Sequence, residues 1–234
     1  MDPLNYSPTP VTYDLGTTPL REVNAALHAA DLAGELVIDN PAGAHNVAVG
    51  LNAPVKVTVR GHVGYYAAGM NQQADLVVEG NAGTGVAENM MSGTVVVQGN
   101  ASQSAGATGH GGLLAITGDA GARCGISMKG IDIVVGGDVG HNSAFMAQAG
   151  RLVVRGDAGD GLGDSVYEAR IYVRGTVKSL GADCVAKEMR AEHIEELSGL
   201  LKAAGFEDDD VAAYTRYGSA RSLYHFHVDN TAAY

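Results

Sequence analysis

The chain has no tryptophan, only two cysteines and 6% aromatic residues, so no large ring anchors a core and no disulfide framework staples one. Cys124 and Cys184 fit a reducing compartment. Charge is also scarce, at 18% of residues, and it leans acidic. A formal net charge of −11 argues against a sequence-independent grip on nucleic acid or on an anionic membrane surface, both of which need an excess of Lys and Arg. No run approaches the roughly 18 apolar residues of a membrane span, and the opening "MDPLNYSPTP" has neither a basic nor an apolar leader region. The expectation is a cytoplasmic protein with no nucleic acid and no membrane among its partners.

What is abundant is small side chain. Of 234 residues 33 are glycine, yet 46% are hydrophobic, which is a folded composition resting on many aliphatic contacts. The stretch "VVVQGNASQSAGATGHGG", residues 95–112, shows the arrangement: a short β-branched run empties into Gly, Ala and Ser. Gly61, Gly80, Gly99, Gly118, Gly137, Gly156 and Gly175 each close such a run, and they recur at every nineteenth position without slippage. Four and two residues before these marks every residue is aliphatic, from Val57 and Val59 to Ile171 and Val173. That is the strand period of two, repeated once per unit.

A unit the length of the Gly61-to-Gly80 interval is too short for a strand and a crossover helix and suits one turn of a parallel β-helix. The fold class expected is therefore an all-β solenoid, a parallel β-helix of seven regular coils, right-handed by the crossover preference and about 34 Å long. An imperfect coil precedes them, with Asn40 and Gly61 spaced by 21. Small residues recur at Ala68, Ala87, Gly106, Gly125, Ala144, Gly163 and Ala182, as expected where each turn passes about 4.8 Å from the next. The marking glycines are read as structural corners with positive φ, so that Gly118→Val disrupts folding.

Helices are expected to cap both ends. Thr18 and Pro19 start one that carries Leu20, Val23, Leu27 and Ala30 on a face and stops at Gly34. Ile194, Leu197, Leu201 and Ala204 form a second stripe ending at Gly205, and "EDDDVAAYTRY" opens a third helix. The chain thus divides into an extension with a capping helix (1–34), the β-helix (35–185), and C-terminal helices with an extended tail (186–234).

No constellation of residues announces catalysis, a cofactor or a metal. His62, Asn81, Asn100, Asp119, Asp138, Asp157 and Thr176 follow the marks as a ladder. Three carboxylates in line suggest Ca²⁺, but the Ca²⁺ solenoids would show a period of 18, and Asn or Asp after Gly commonly caps a turn through its own backbone. The turn is the plainer account. "GDGLGDS" resembles a phosphate loop but lacks the Lys and Ser/Thr and is followed by a strand. Eight histidines fall at non-equivalent positions; His225 and His227 project together from the alternating "SLYHFHVDN", which reads as an exposed alternation rather than a metal pair. Cys124 and Cys184 lie three coils apart, about 14 Å, too far to bridge.

The informative departure is an outward one. Three residues before the marks alternation predicts solvent, yet Thr58, Val77, Val96, Ala115, Val134, Val153 and Tyr172 form a mostly apolar stripe. Neighbouring Arg60, Glu79, Gln98, Thr117, Arg155 and Arg174 are polar as expected. Val77, Val96, Val134, Val153 and Tyr172 are accordingly the candidate interface, with the tail residues Leu223, Tyr224, Phe226 and Val228 as the competing cover. Aspartate at Val96 and Val134 is expected to abolish assembly and to leave the solenoid folded.

The repeated G-x-x-G-x-x-x-G, whole at Gly118, Gly121 and Gly125 and again at Gly156, Gly159 and Gly163, resembles the GXGXG β-helix domain that ends the large subunit of glutamate synthase. "GHVGYYAAGMNQQA", "GVAENMMSG", "ARCGISMKG", "GDSVYEARIYVRG", "SLGADCVAKEM" and "YGSARSLYHFHVDN" are similar to its stand-alone form, the β-helix subunit of bacterial N-methylglutamate synthase, also described as glutamate synthase domain 3 or GlxC-like. The resemblance implies a subunit without an active site of its own in a hetero-oligomer that converts methylamine and L-glutamate to N-methylglutamate and ammonia. Its implied partners are a glutamine-amidotransferase-type subunit and an FMN-binding, glutamate synthase-like subunit, the latter often with iron-sulfur clusters. No catalytic, cofactor-binding or metal-binding residue is carried over, because the shared motif is structural glycine. Two alternatives are a β-helix subunit of a formylmethanofuran dehydrogenase or formyltransferase/hydrolase complex, with a similar glycine repeat, and a stand-alone solenoid enzyme.

Overall fold

The computed structural model describes residues 10–29 and 32–221. It is a β-solenoid whose strands form one sheet in the order β1 (Val11–Asp14), β2 (Glu35–Asp39), β3 (Lys56–Arg60), β4 (Asp75–Val78), β5 (Thr94–Val97), β6 (Leu113–Ile116), β7 (Lys129–Val135), β8 (Ala149–Val154), β9 (Arg170–Val173), β11 (Thr215–Ser219) and β10 (Cys184–Lys187). From β3 to β9 the register advances by one full repeat per strand, as in Leu76 to Val95 to Leu114 to Ile133, so aliphatic groups stack in columns; the one irregularity is a shift between Lys129 and Asp132 where β7 meets β8. The β2–β3 step is longer, Leu36 to Val57, which is the imperfect coil. β1 adds a further parallel strand on β2 that no sequence pattern suggested.

Each coil has two more sides. Val63, Ala82, Ala101, Ala120, Val139, Ala158 and Val177 form single parallel bridges down a second column. The third side alternates right- and left-handed backbone, with positive φ at Tyr66, Ala68 and Met70, then at Gly85, Ala87 and Asn89 one coil later. The alternation aims successive N–H groups at opposite neighbours: Tyr66 donates to Thr84 O at 2.8 Å and Ala68 to Val47 O at 2.9 Å. Each left-handed L-residue costs about 1–2 kcal/mol, a strain offset by ladder bonds that would otherwise be missing from a buried backbone.

Here the Gly-Ala-Ser tract finds its reason. The inward left-handed positions are Ala68, Ala87, Gly106, Gly125, Ala144 and Gly163, and they face the long strand side chains across a narrow interior. A Cβ on Gly106 would sit 2.6 Å from Ile133 Cδ1. The marking glycines work differently from expectation. Of the seven only Gly61 has positive φ, at +131°. The others are small because the preceding coil presses on them: Gly137 donates to Gly118 O and Gly156 to Gly137 O, both at 2.9 Å, leaving no room for a Cβ.

The helices also depart in part. α1 (Leu20–Ala26) begins after Pro19 with no side-chain cap, and packs Val23 and Leu27 into the core at the first coil; Ala30 lies outside the described residues. Gly34 follows with φ +91°. α2 (Ala191–Ala203) does not sit on the end of the stack. It lies on the outer face of β7, β8 and β9. The expected third helix is a 3₁₀ turn, Val211–Ala213, that leads into β11. β11 pairs antiparallel with β9 and β10, so the sheet continues past residue 185 into the C-terminal segment.

Candidate functional site

The outer stripe is in register throughout: Thr58, Val77, Val96, Ala115, Val134, Val153 and Tyr172 are successive cross-strand partners. The chain closes half of it. Leu197 and Leu201 of α2, with Tyr214, pack on Val134, Val153 and Tyr172, which are fully buried. These three therefore offer no surface to a partner, and that part of the candidate interface is corrected: the cover comes from α2. Leu223, Tyr224, Phe226 and Val228 lie outside the described residues. Val77 and Val96, with Thr58, keep part of their surface exposed.

Two carboxylates lock α2 and its following loop onto the coils. Glu196 accepts from Arg151 at 2.8 Å, Arg170 at 2.5 Å and the Tyr172 hydroxyl at 2.6 Å. Asp209 accepts from Arg155 at 2.7 Å, Arg174 at 2.6 Å and the Tyr214 hydroxyl at 2.6 Å. Phe206 adds its ring face 4.1 Å from the Arg155 guanidinium. Burial opposes ionisation of both acids, but the hydroxyl and guanidinium donors outweigh it and hold them below the usual carboxylate range. Burial, together with the carboxylate partners, raises Tyr172 and Tyr214 well above the ordinary phenol range.

None of the sequence patterns above anticipates this lock, although a signal existed. Arg151 and Arg170 are cross-strand partners, and Arg155 and Arg174 stand one repeat apart in the same way, so each pair stacks two like charges on adjacent coils. Such a pair calls for an acid between its members.

The corner ladder is built between coils. His62 Nδ1 accepts from the Asn81 N–H at 2.8 Å, Asn81 Oδ1 from Asn100 N–H, Asn100 Oδ1 from Asp119 N–H, and so on to Asp157 and Thr176. Each side chain caps the next coil and not its own turn, correcting the local-turn expectation. Each carboxylate in the run gives one oxygen to a backbone donor, and no cluster of three or more metal-ligating side chains occurs among the described residues.

The "GDGLGDS" glycines fall on the coil: Gly161 and Gly163 are left-handed positions, and a Cβ on Gly159 would lie 2.9 Å from His141 N. Cys124 and Cys184 are free and buried, and burial pushes their thiols up to about 12 and about 11. Neither carries the thiolate that redox or nucleophilic chemistry uses. His225 and His227 lie outside the described residues. No helix among those described is long and apolar enough to cross a membrane.

No family model matches the chain. Protein GlxC of Rhizobium meliloti (strain 1021) is 62% identical over 226 residues, a match that takes in 94% of this chain and 98% of that protein. The chain belongs to the GlxC family.

Proposed function

We propose that this GlxC-family chain is the non-catalytic β-helix subunit of a glutamate synthase-like N-methylglutamate synthase complex, acting in the cytoplasm on methylamine and L-glutamate. It spaces and couples a glutamine-amidotransferase-type subunit and an FMN-binding synthase subunit. FMN and any iron-sulfur clusters reside in those partners, and this chain supplies rigid distance and docking surface.

The observation that carries this reading is the open half of the outer stripe. Val77 and Val96 stand in register on a regular strand face and stay partly exposed, while the same stripe is sealed by α2 further along the stack. A protein that covers one half of an apolar row and leaves the other half partly exposed has kept a surface for something else. The chemistry proposed for the complex rests on the GXGXG resemblance.

Aspartate at Val77 and Val96 tests it. Both side chains point outward, so the double variant is expected to keep its fold and its α2 docking. Purified from its native cells, the wild-type chain should bring down a flavoprotein and an amidotransferase-type subunit, and the double variant neither. Retention of both partners by a folded variant would remove the face from the account. Turnover of methylamine and glutamate by the isolated chain would remove the non-catalytic role.

A further inference from the structure

Five of the chain's 15 Lys and Arg residues line one cleft of about 530 Å³ where β8, β9, β11 and β10 lie side by side. They are Arg151, Arg170, Lys187, Arg216 and Arg221, against one carboxylate in the lining, Glu168, which is itself engaged in an interaction. On a chain of net charge −11 this concentration runs against the bulk composition.

The cations are not equally satisfied. Arg151 and Arg170 share Glu196, and Arg221 pairs with Asp183. Lys187 and Arg216 face each other directly across the antiparallel β10–β11 pair. Like charges in that position destabilise a sheet. Among the described residues neither forms an ion pair; Arg216 Nε donates to the Glu188 carbonyl at 2.9 Å, which leaves its terminal nitrogens for another acceptor. Burial above all, with the guanidinium groups of Arg170 and Arg190, outweighs the opposing influence of Tyr172 and Glu192 and lowers the Arg216 pKa below the ordinary arginine value. Its neighbour in β9 is Tyr172, already committed to Glu196.

Two cations opposed across a sheet, neither with an ion-pair partner among the described residues, are unfavourable in the empty protein and favourable around an anion. The volume is of the size that takes a small molecule, and a guanidinium beside an ammonium suits an oxyanion, the first by its planar fork and the second as a point charge.

We propose that this cleft binds a small oxyanion, a phosphate or carboxylate group, between Lys187 and Arg216. The site is separate from the open Val77–Val96 face and does not depend on the identity of any partner subunit.

Thermal melting of the full chain with inorganic phosphate, with malonate, and with chloride at matched ionic strength tests it. The expected result is a saturable rise in Tm with phosphate, with malonate or with both, over chloride, lost in Lys187→Gln and in Arg216→Gln. A rise with phosphate alone assigns the ligand to phosphates, and one with malonate alone assigns it to carboxylates. Without ligand, Lys187→Gln should melt no lower than wild type, since it relieves a like-charge pair; this variant keeps the test decisive where Arg216→Gln disturbs β11. Equal stabilisation by chloride, or a rise that persists in Lys187→Gln, would overturn the proposal.

Discussion

Gly156→Val is expected to abolish folding of the solenoid, with loss of the cooperative melt and of soluble expression. A Cβ at this corner would sit 2.6 Å from Gly137 C and overlap Asp138 Oδ1, and the Gly156 N–H already bonds Gly137 O at 2.9 Å. A side chain can rotate away, but the Gly137 backbone is itself held by the coil before it. The two coils must part, which strips the ladder bonds on either side of the corner. Overpacking of an ordinary core costs about 1–3 kcal/mol, and displacing backbone in a continuous stack costs more. The same geometry governs Gly118→Val, where the Cβ would overlap Asn100 Oδ1; crowding, not positive φ, forbids it. A soluble Gly156→Val protein with unchanged Tm would contradict the coil-on-coil contact.

Val134→Asp is expected to release α2 while the central coils remain. Val134 is fully buried between β7 and the α2 leucines, and its outward face belongs to a cluster separate from the solenoid interior. A carboxylate there has no designated partner, and burying an unpaired charge costs several kcal/mol. That exceeds what the locks at Glu196 and Asp209 return, since their arginines are partly exposed and screened. Hydrogen exchange should lose protection in Ala191–Ala203 and Thr215–Ser219, while Lys56–Arg60 through Leu113–Ile116 keep theirs. Val96→Asp, on the open half of the same stripe, should leave α2 protected. Identical exchange in Val134→Asp and wild type would contradict the covered half.

The solenoid was legible because every coil solves the same packing problem with the same residue types. Val95 and Val97, Leu114 and Ile116, Ile133 and Val135 repeat the inward pair, and the glycine after each marks the corner. Less legible was which constraint each small residue obeys. Positive φ falls on Ala87, Ser104, Ala144 and Met146, residue types that do not advertise it, whereas most of the marking glycines answer to crowding. The Asn and Asp ladder was visible as a column, but a local turn and a bond to the next coil put the same residue in the same place.

The C-terminal segment was the least legible. The α2 leucines show that a helix needs an apolar surface and do not say which one, and the solenoid offers both its end and its outer stripe. β11 was hidden by the acidic "EDDD" before it, which favours a helix start yet yields one 3₁₀ turn capped by Asp210. The oxyanion cleft was invisible for the same reason: Lys187 and Arg216 are far apart in sequence and meet only because β11 returns beside β10.

The stacking itself is tested most directly by removing one coil. Deleting Asn81–Gly99, one complete repeat, joins Gly80 to Asn100 and restores every column one strand spacing shorter. Deleting Asn81–Met90 removes only part of a repeat and throws the later coils out of phase. Measured by circular dichroism and thermal melting, the longer deletion should give a folded, cooperatively melting solenoid and the shorter one an unfolded chain. Unfolding of both, or folding of the out-of-phase variant, would contradict the account.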